Sequence, residues 1–304
     1  MPHNLPEVCT MTTRRRSRPH LPLFALGSLV LAAGLLSATH PALADSPDRR
    51  PAMQRTMKKF LGTDQTPLAT TDPELAAIRD RLVYGEIMQR GSLTDTQRLL
   101  VTLVALAANR TPDGMDAQVR AALRAGATPV EIKEALYQCA PYIGFPATEA
   151  ALRVVNDVFA AEGIALPTAP QATVSEASRF ADGLRVQKRI FGDAIDAMHR
   201  NTPPAQLPIM KDYLSAFCFG DIYTRTGLDL KTRELLTFSI IAALGGCDAQ
   251  VRAHVQGNVN VGNSKDDLID ALAQLLPCIG FPRTLNALAC VNAVIPEKNA
   301  DAGK

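Results

Sequence analysis

The chain reads PYIGFP from Pro141 to Pro146 and PCIGFP from Pro277 to Pro282. The same corner is written twice, 136 positions apart, with one letter changed. With that offset, residues 98–152 align with 234–288 without a gap, and seventeen of the 55 positions are identical, among them Leu99/Leu235, Val119/Val255, Gly126/Gly262, Gln138/Gln274 and Thr148/Thr284. An Ala/Leu-rich chain gives roughly five by chance. The likeness continues upstream, where YGEIMQR (84–90) matches FGDIYTR (219–225) with a one-residue slip. This is a tandem of two like units, not a many-repeat solenoid.

Each unit reads as helices. In TDTQRLLVTLVALAA, Leu99, Leu103 and Leu106 recur at helical spacing behind Thr94 or Asp95 as N-cap. DAQVRAALRAG stops at Gly126, a helix-ending glycine. TPVEIKEALYQCA opens with Thr128 as cap, Pro129 at the first helical position and Glu131 three residues after the cap; Ser264 and Asp267 repeat that box. In the quoted turn the first proline is expected to close one helix, the glycine to bend the backbone, and the second proline to start the next helix. The expected fold class is all-α, two tandem helical domains over 73–163 and 179–296. A Pro/Ala/Thr/Ser-rich linker (164–178) separates them and a polar arm (45–72) precedes them.

Composition sets limits on function. The chain has 304 residues, 47% hydrophobic and 20% charged, with no tryptophan. Residues 1–44 carry Arg14, Arg15, Arg16 and Arg18 against Glu7; beyond them 28 basic residues face 29 acidic ones, which points away from a nucleic-acid partner. TRRRSRPH, an apolar stretch ending near Ala38, and Ala42-Leu43-Ala44 before Asp45 have the plan of a signal peptide over 1–44. The expected mature protein is exported, periplasmic or secreted, with no membrane attachment after cleavage. Its five cysteines, 139, 218, 247, 278 and 290, include no C-x-x-C. Only His199 and His254 remain, and H-E-x-x-H, G-x-G-x-x-G and G-x-S-x-G motifs are absent, so no metal site is expected.

The units differ where chemistry would sit. His254 faces Gln118, Glu234 faces Arg98, and Cys247 faces Thr111. Cys247, Gln250 and His254 lie three and four residues apart, on one helical stripe. A short connection brings Glu234 alongside, where it would fix the imidazole tautomer. Arg233 offers bidentate binding to a carboxylate. The bland readings are a structural histidine, a surface Arg233–Glu234 pair, an inert thiol, and an Asp221 that only bridges helices.

The FG-acid-I start, R-E-L-L at 233–236, the following His254 and the GFP corner together resemble the carboxymuconolactone decarboxylase family, within the alkylhydroperoxidase D-like superfamily. The resemblance covers about 80–160 and 215–295. It implies an all-helical fold, assembly as a homo-oligomer (here a trimer carrying six units), and a small-molecule substrate handled without a cofactor. By that resemblance the catalytic residues would be His254, Glu234 and Cys247, and the substrate-binding residues Arg233, Asp221 and Gln250. A lyase-type site for a carboxylated or lactone compound is the first expectation. The alternatives are a thiol-dependent peroxidase and a non-catalytic helical binding module. The peroxidase branch uses C-x-x-C, and here Gln250 stands in place of the second cysteine.

Overall fold

The computed structural model describes residues 48–297. The leader reading of 1–44 lies outside them. Thirteen helices follow one another among the described residues, with no strand. They are α1 (Arg50–Leu61), α2 (Leu68–Thr71), α3 (Pro73–Gly85), α4 (Asp95–Asn109), α5 (Met115–Arg124), α6 (Pro129–Ile143), α7 (Phe145–Ala161), α8 (Arg179–Phe191), α9 (Ala194–Asn201), a π-helix (Pro208–Tyr223), α10 (Leu230–Leu244), α11 (Asp248–Val261) and α12 (Lys265–Val294), beside short 3₁₀ turns. No described helix is long and apolar enough to cross a membrane.

The caps sit where the sequence puts them. Thr94, Thr128 and Ser264 each accept from the backbone N–H three residues on, and Gln97, Glu131 and Asp267 return the bond. Each such box is worth about 1 kcal/mol. The quoted corner departs in one respect. Pro141 lies inside α6 and Pro277 inside α12; neither proline ends its helix. The turn is made by Gly144 (φ 80°, ψ 160°) and Gly280 (φ 71°, ψ 170°), in a region that a Cβ disfavours. α12 is therefore two helices bent at Gly280, the counterpart of α6 and α7.

The repeat is longer than its sequence suggests. Residues 50–61, expected as a polar arm, form α1, with Met57 and Phe60 buried. α1 is the repeat-one counterpart of α8. Arg49 pairs with Glu86, and Arg179 with Asp221. A Cβ on Gly85 would meet Arg49 O, and one on Gly220 would meet Arg179 O. Both helices end thirteen residues after that arginine, at Gly62 and Gly192, each with positive φ.

The repeats interlock through α4 and α10. α4 and α10 pack on each other, and α6 of repeat one packs on α10 while α12 packs on α4. Arg98 pairs with Asp270 (2.7 Å) and Arg233 with Glu134 (2.8 Å), each reaching into the other repeat. Gly91 and Gly227 lie against the same two acids, where a side chain would collide. One apolar core runs through both repeats, from Leu99, Leu103 and Leu136 to Leu235, Phe238 and Leu275. A smaller cluster, Ile190, Cys218, Phe219 and Tyr223, closes the side of repeat two where α8 meets the π-helix.

That side depends on bare backbone. A Cβ on Gly183 of α8 would overlap Ser215 O and the backbone of Gly220. Gly183→Ala is expected to cost about 1–3 kcal/mol, read as a lower urea midpoint; an unchanged midpoint would refute this packing.

Candidate active site

α10 carries Glu234 one turn in from its cap, Asp229, whose side chain accepts from Thr232 N (2.7 Å). α10 is buried all round from Arg233 to Ala243, so its polar side chains must find protein partners. α11 is stapled to it by Asn258, whose Nδ2 donates to Glu234 O (3.0 Å) and to His254 O (2.7 Å). Asn263 donates to Asn258 Oδ1 (2.7 Å) and to Lys231 O (2.9 Å), fixing that staple. The register this sets brings His254 Nδ1 within 2.9 Å of Glu234 Oε2.

Glu234 has no solvent exposure. A buried carboxylate costs several kcal/mol unless donors surround it, and here a directed chain of donors ends on it. Tyr223 O–H donates to Glu234 Oε1 (2.6 Å). Having spent its only proton, the Tyr223 oxygen accepts from Thr237 (2.7 Å) and from Tyr142 (3.1 Å). Thr237 in turn accepts from Gln138 Nε2 (3.0 Å), and Gln138 Oε1 accepts from Arg233 Nη1 (3.0 Å). Every bond in this chain points toward Glu234. Burial first of all holds both phenols well above the ordinary tyrosine value, with Cys218 and Glu234 adding to it, so they remain donors at neutral pH.

An ionised carboxylate only accepts, so Nδ1 of His254 carries the proton toward Glu234. Among the described residues Nε2 has no partner, and it is not among the buried atoms left without one. The ring keeps 10% of its side-chain surface open and lies between the edges of Phe191 and Tyr142, at centroid distances of 5.3 and 6.1 Å. Gly257, one turn beyond His254, leaves room for the carboxylate: a Cβ there would stand 2.7 Å from Glu234 Oε2 and 2.9 Å from Ile190 Cγ2.

The remaining sequence candidates lie elsewhere. Arg233 has 0% exposure; its Nη2 bonds Glu134 Oε2 and the carbonyls of Arg225 (3.0 Å) and Thr226 (3.1 Å). It anchors the donor chain; its Nε has no partner among the described residues, and that atom is buried, with no surface open to a substrate. Glu134 is also held by Arg225 (2.9 Å). Asp221 is paired with Arg179. Gln250 is exposed on the surface of α11. Cys247 caps α11 with its thiol toward Gly245 O (3.4 Å). It precedes His254 by seven residues, about 10 Å along the helix. All five described cysteines are free. Burial pushes the Cys218 thiol up to about 12 and Cys278 up to about 11.

Sequence reasoning missed Tyr142, Tyr223, Thr237, Gln138 and Gly257. One signal was available: Tyr142 is the single letter by which PYIGFP differs from PCIGFP. Repeat one has no such chain. Its Arg98 is spent on Asp270 and the Leu93 carbonyl (3.0 Å), and Gln118 reaches only Leu99 O (3.5 Å).

Comparison with known proteins agrees with this architecture. The profile of the Carboxymuconolactone decarboxylase family matches residues 73–157 and again 208–293. The chain belongs to that family, as two tandem domains. It is 36% identical over 128 residues to the 4-carboxymuconolactone decarboxylase of Acinetobacter baylyi, covering 41% of this chain and 92% of that one. It is 26% identical over 117 residues to the nitrosuccinic acid decarboxylase npaB of Metarhizium robertsii, covering 38% and 80%. A solved structure from Burkholderia xenovorans LB400, titled a putative gamma-carboxymuconolactone decarboxylase subunit, aligns over 81% of this chain and 97% of its own, with a TM-score of 0.48 and 19% identity.

Two outcomes are expected. Arg233→Met leaves Glu134 with Arg225 alone and Gln138 Oε1 without its donor, and costs about 1.5–3 kcal/mol in a urea titration; a loss confined to substrate KM would instead mean that Arg233 faces the substrate. The raised phenols contribute stability that is present below pH ~10, the unfolded tyrosine value, and is lost as pH rises through the higher folded values. Tyr142→Phe removes that group, so its stability should fall less steeply above pH ~10 than the parent's.

Proposed function

We propose that repeat two is a decarboxylase-type acid–base site for a small carboxylated or lactone compound, working through side chains alone. The observation that carries this is the division of the His254 ring. Nδ1 is tied to a fully buried Glu234, and Nε2 has no partner among the described residues. Such a ring delivers a proton from a fixed position. In the reaction the bond to the substrate carboxylate breaks and carbon dioxide leaves. The electron pair passes into a conjugated carbonyl or a nitro group of the substrate, and the proton on Nε2 of the imidazolium goes to carbon. Glu234 stabilises the imidazolium and keeps the ring oriented, and water restores the proton afterwards.

Both named relatives are decarboxylases of carboxylated compounds, which supports the reaction class. The substrate carboxylate is not held by Arg233, which is fully buried with both terminal nitrogens bonded inside the protein. The aromatic edges of Phe191 and Tyr142 would lie against the substrate body. The peroxidase alternative is weaker: Cys247 has neither a neighbouring thiol at position 250 nor contact with His254. Repeat one, with Arg98 and Gln118 in place of the acid and base, is read as non-catalytic. Export through the 1–44 leader and assembly as a trimer belong to this proposal as well.

The test is carbon dioxide release from 4-carboxymuconolactone and from nitrosuccinate. Glu234→Gln and His254→Asn should each lower kcat by about 10²–10⁴, with the fold retained by circular dichroism. Undiminished turnover in His254→Asn would end this reading, as would loss of activity in Cys247→Ser equal to that in His254→Asn.

A further inference from the structure

The repeats differ at a second place, away from His254. In repeat two, Arg283 lies over the loop after α10. A Cβ on Gly245 would stand 3.1 Å from its Cδ, and its Nη1 donates to Ala243 O and to Asn109 Oδ1 (2.7 Å). The repeat-one counterpart of Arg283 is Ala147. With no guanidinium there, repeat one has a cleft of about 610 Å³ between the end of α4, the start of α5 and the α6–α7 corner. Leu106, Met115, Ile143, Pro146 and Ala147 line it, and Arg110 with Thr111 brings the polar groups. That size is within the usual range for small-molecule sites, which are mostly apolar with a few placed polar groups.

Arg110 is held there at a cost. Its φ is 57° and ψ 38°, and it is the one non-glycine residue with positive φ among those described. At the same place repeat two has Gly246, whose φ is also positive (68°) and which as a glycine bears that without penalty. Strain of this kind persists where the surroundings or a function hold it. Arg110 is exposed, and among the described residues its guanidinium has no ion pair and no hydrogen bond. A lone cation beside an apolar hollow is complementary to a ligand with an apolar body and one negative end.

We propose that repeat one is a binding site for a monocarboxylate with an apolar body, its carboxylate on Arg110 and its body in the cleft that Ala147 leaves open. Repeat two then keeps the proton-transfer pair and a plugged cleft, whereas repeat one keeps an open cleft and no such pair. The inference does not rest on the function proposed for His254.

The test is calorimetric titration of the full chain with decanoate and with decan-1-ol. Decanoate should saturate one site per chain at submillimolar concentration, with a Kd below about 1 mM. Ala147→Arg, which copies the residue of repeat two, should weaken both probes at least about tenfold. Arg110→Gly should weaken decanoate by about tenfold, leave decan-1-ol within about twofold, and unfold at the same or a higher urea concentration. His254→Asn should bind as the parent does. Equal decanoate binding in the parent and Ala147→Arg would overturn the proposal. So would an unchanged decanoate Kd in Arg110→Gly, or no saturable binding to the parent. Self-association abolished by Ala147→Arg without any decanoate binding would also overturn it, by assigning the cleft to a second chain.

Discussion

A carboxylate sealed from water must be fed by donors, and Glu234 receives them from both repeats. Its direct partners, His254 and Tyr223, lie on α11 and the π-helix. The next partners, Tyr142 and Gln138, come from α6 of repeat one. Losing one donor from a buried charge-assisted set costs about 1.5–3 kcal/mol, comparable to the net gain from burying a large side chain. The site is therefore not a local feature of repeat two. It exists because α6 packs on α10 across the repeat boundary, and the Glu134–Arg233 pair sets that packing. Breaking the crossing would leave Glu134 without either of its guanidiniums and the Tyr142 hydroxyl without its partners.

The same crossing explains how repeat one has diverged. Its mirror position is also an arginine on an acid, Arg98 on Asp270, but that arginine occupies the place of Glu234 itself. Repeat one thus closes its interior with an ion pair where repeat two holds an acid–base pair. Once Arg98 fills the space, Gln118 needs no carboxylate opposite, and Cys278 suffices where the other corner needs a tyrosine.

Much of this was legible in the sequence. The corner PxIGFP gave the repeat, and the capping boxes gave the helix starts, because both depend on residues close in the chain. The Glu234–His254 juxtaposition was legible because only a short loop joins their helices. Other features were not. α1 shares little with α8 beyond the outer arginine, the ending glycine and a few basic and apolar positions, so residues 50–61 read as a polar arm. The role of Arg233 was misread because its partner lies 99 residues away, on Glu134. A fully buried arginine and a surface arginine look alike in one sequence. The tyrosines were missed for a similar reason: their value lies in hydroxyl geometry, and nothing in composition separates a donor phenol from a packing ring.

The most direct measurement is the nitrogen-15 NMR spectrum of the His254 ring, followed across pH in the folded chain and assigned with His254→Asn. A ring held by the Glu234 carboxylate and presenting Nε2 outward predicts that the neutral form carries its proton on Nδ1. A neutral form protonated on Nε2, or a ring sampling both tautomers equally, would contradict the account.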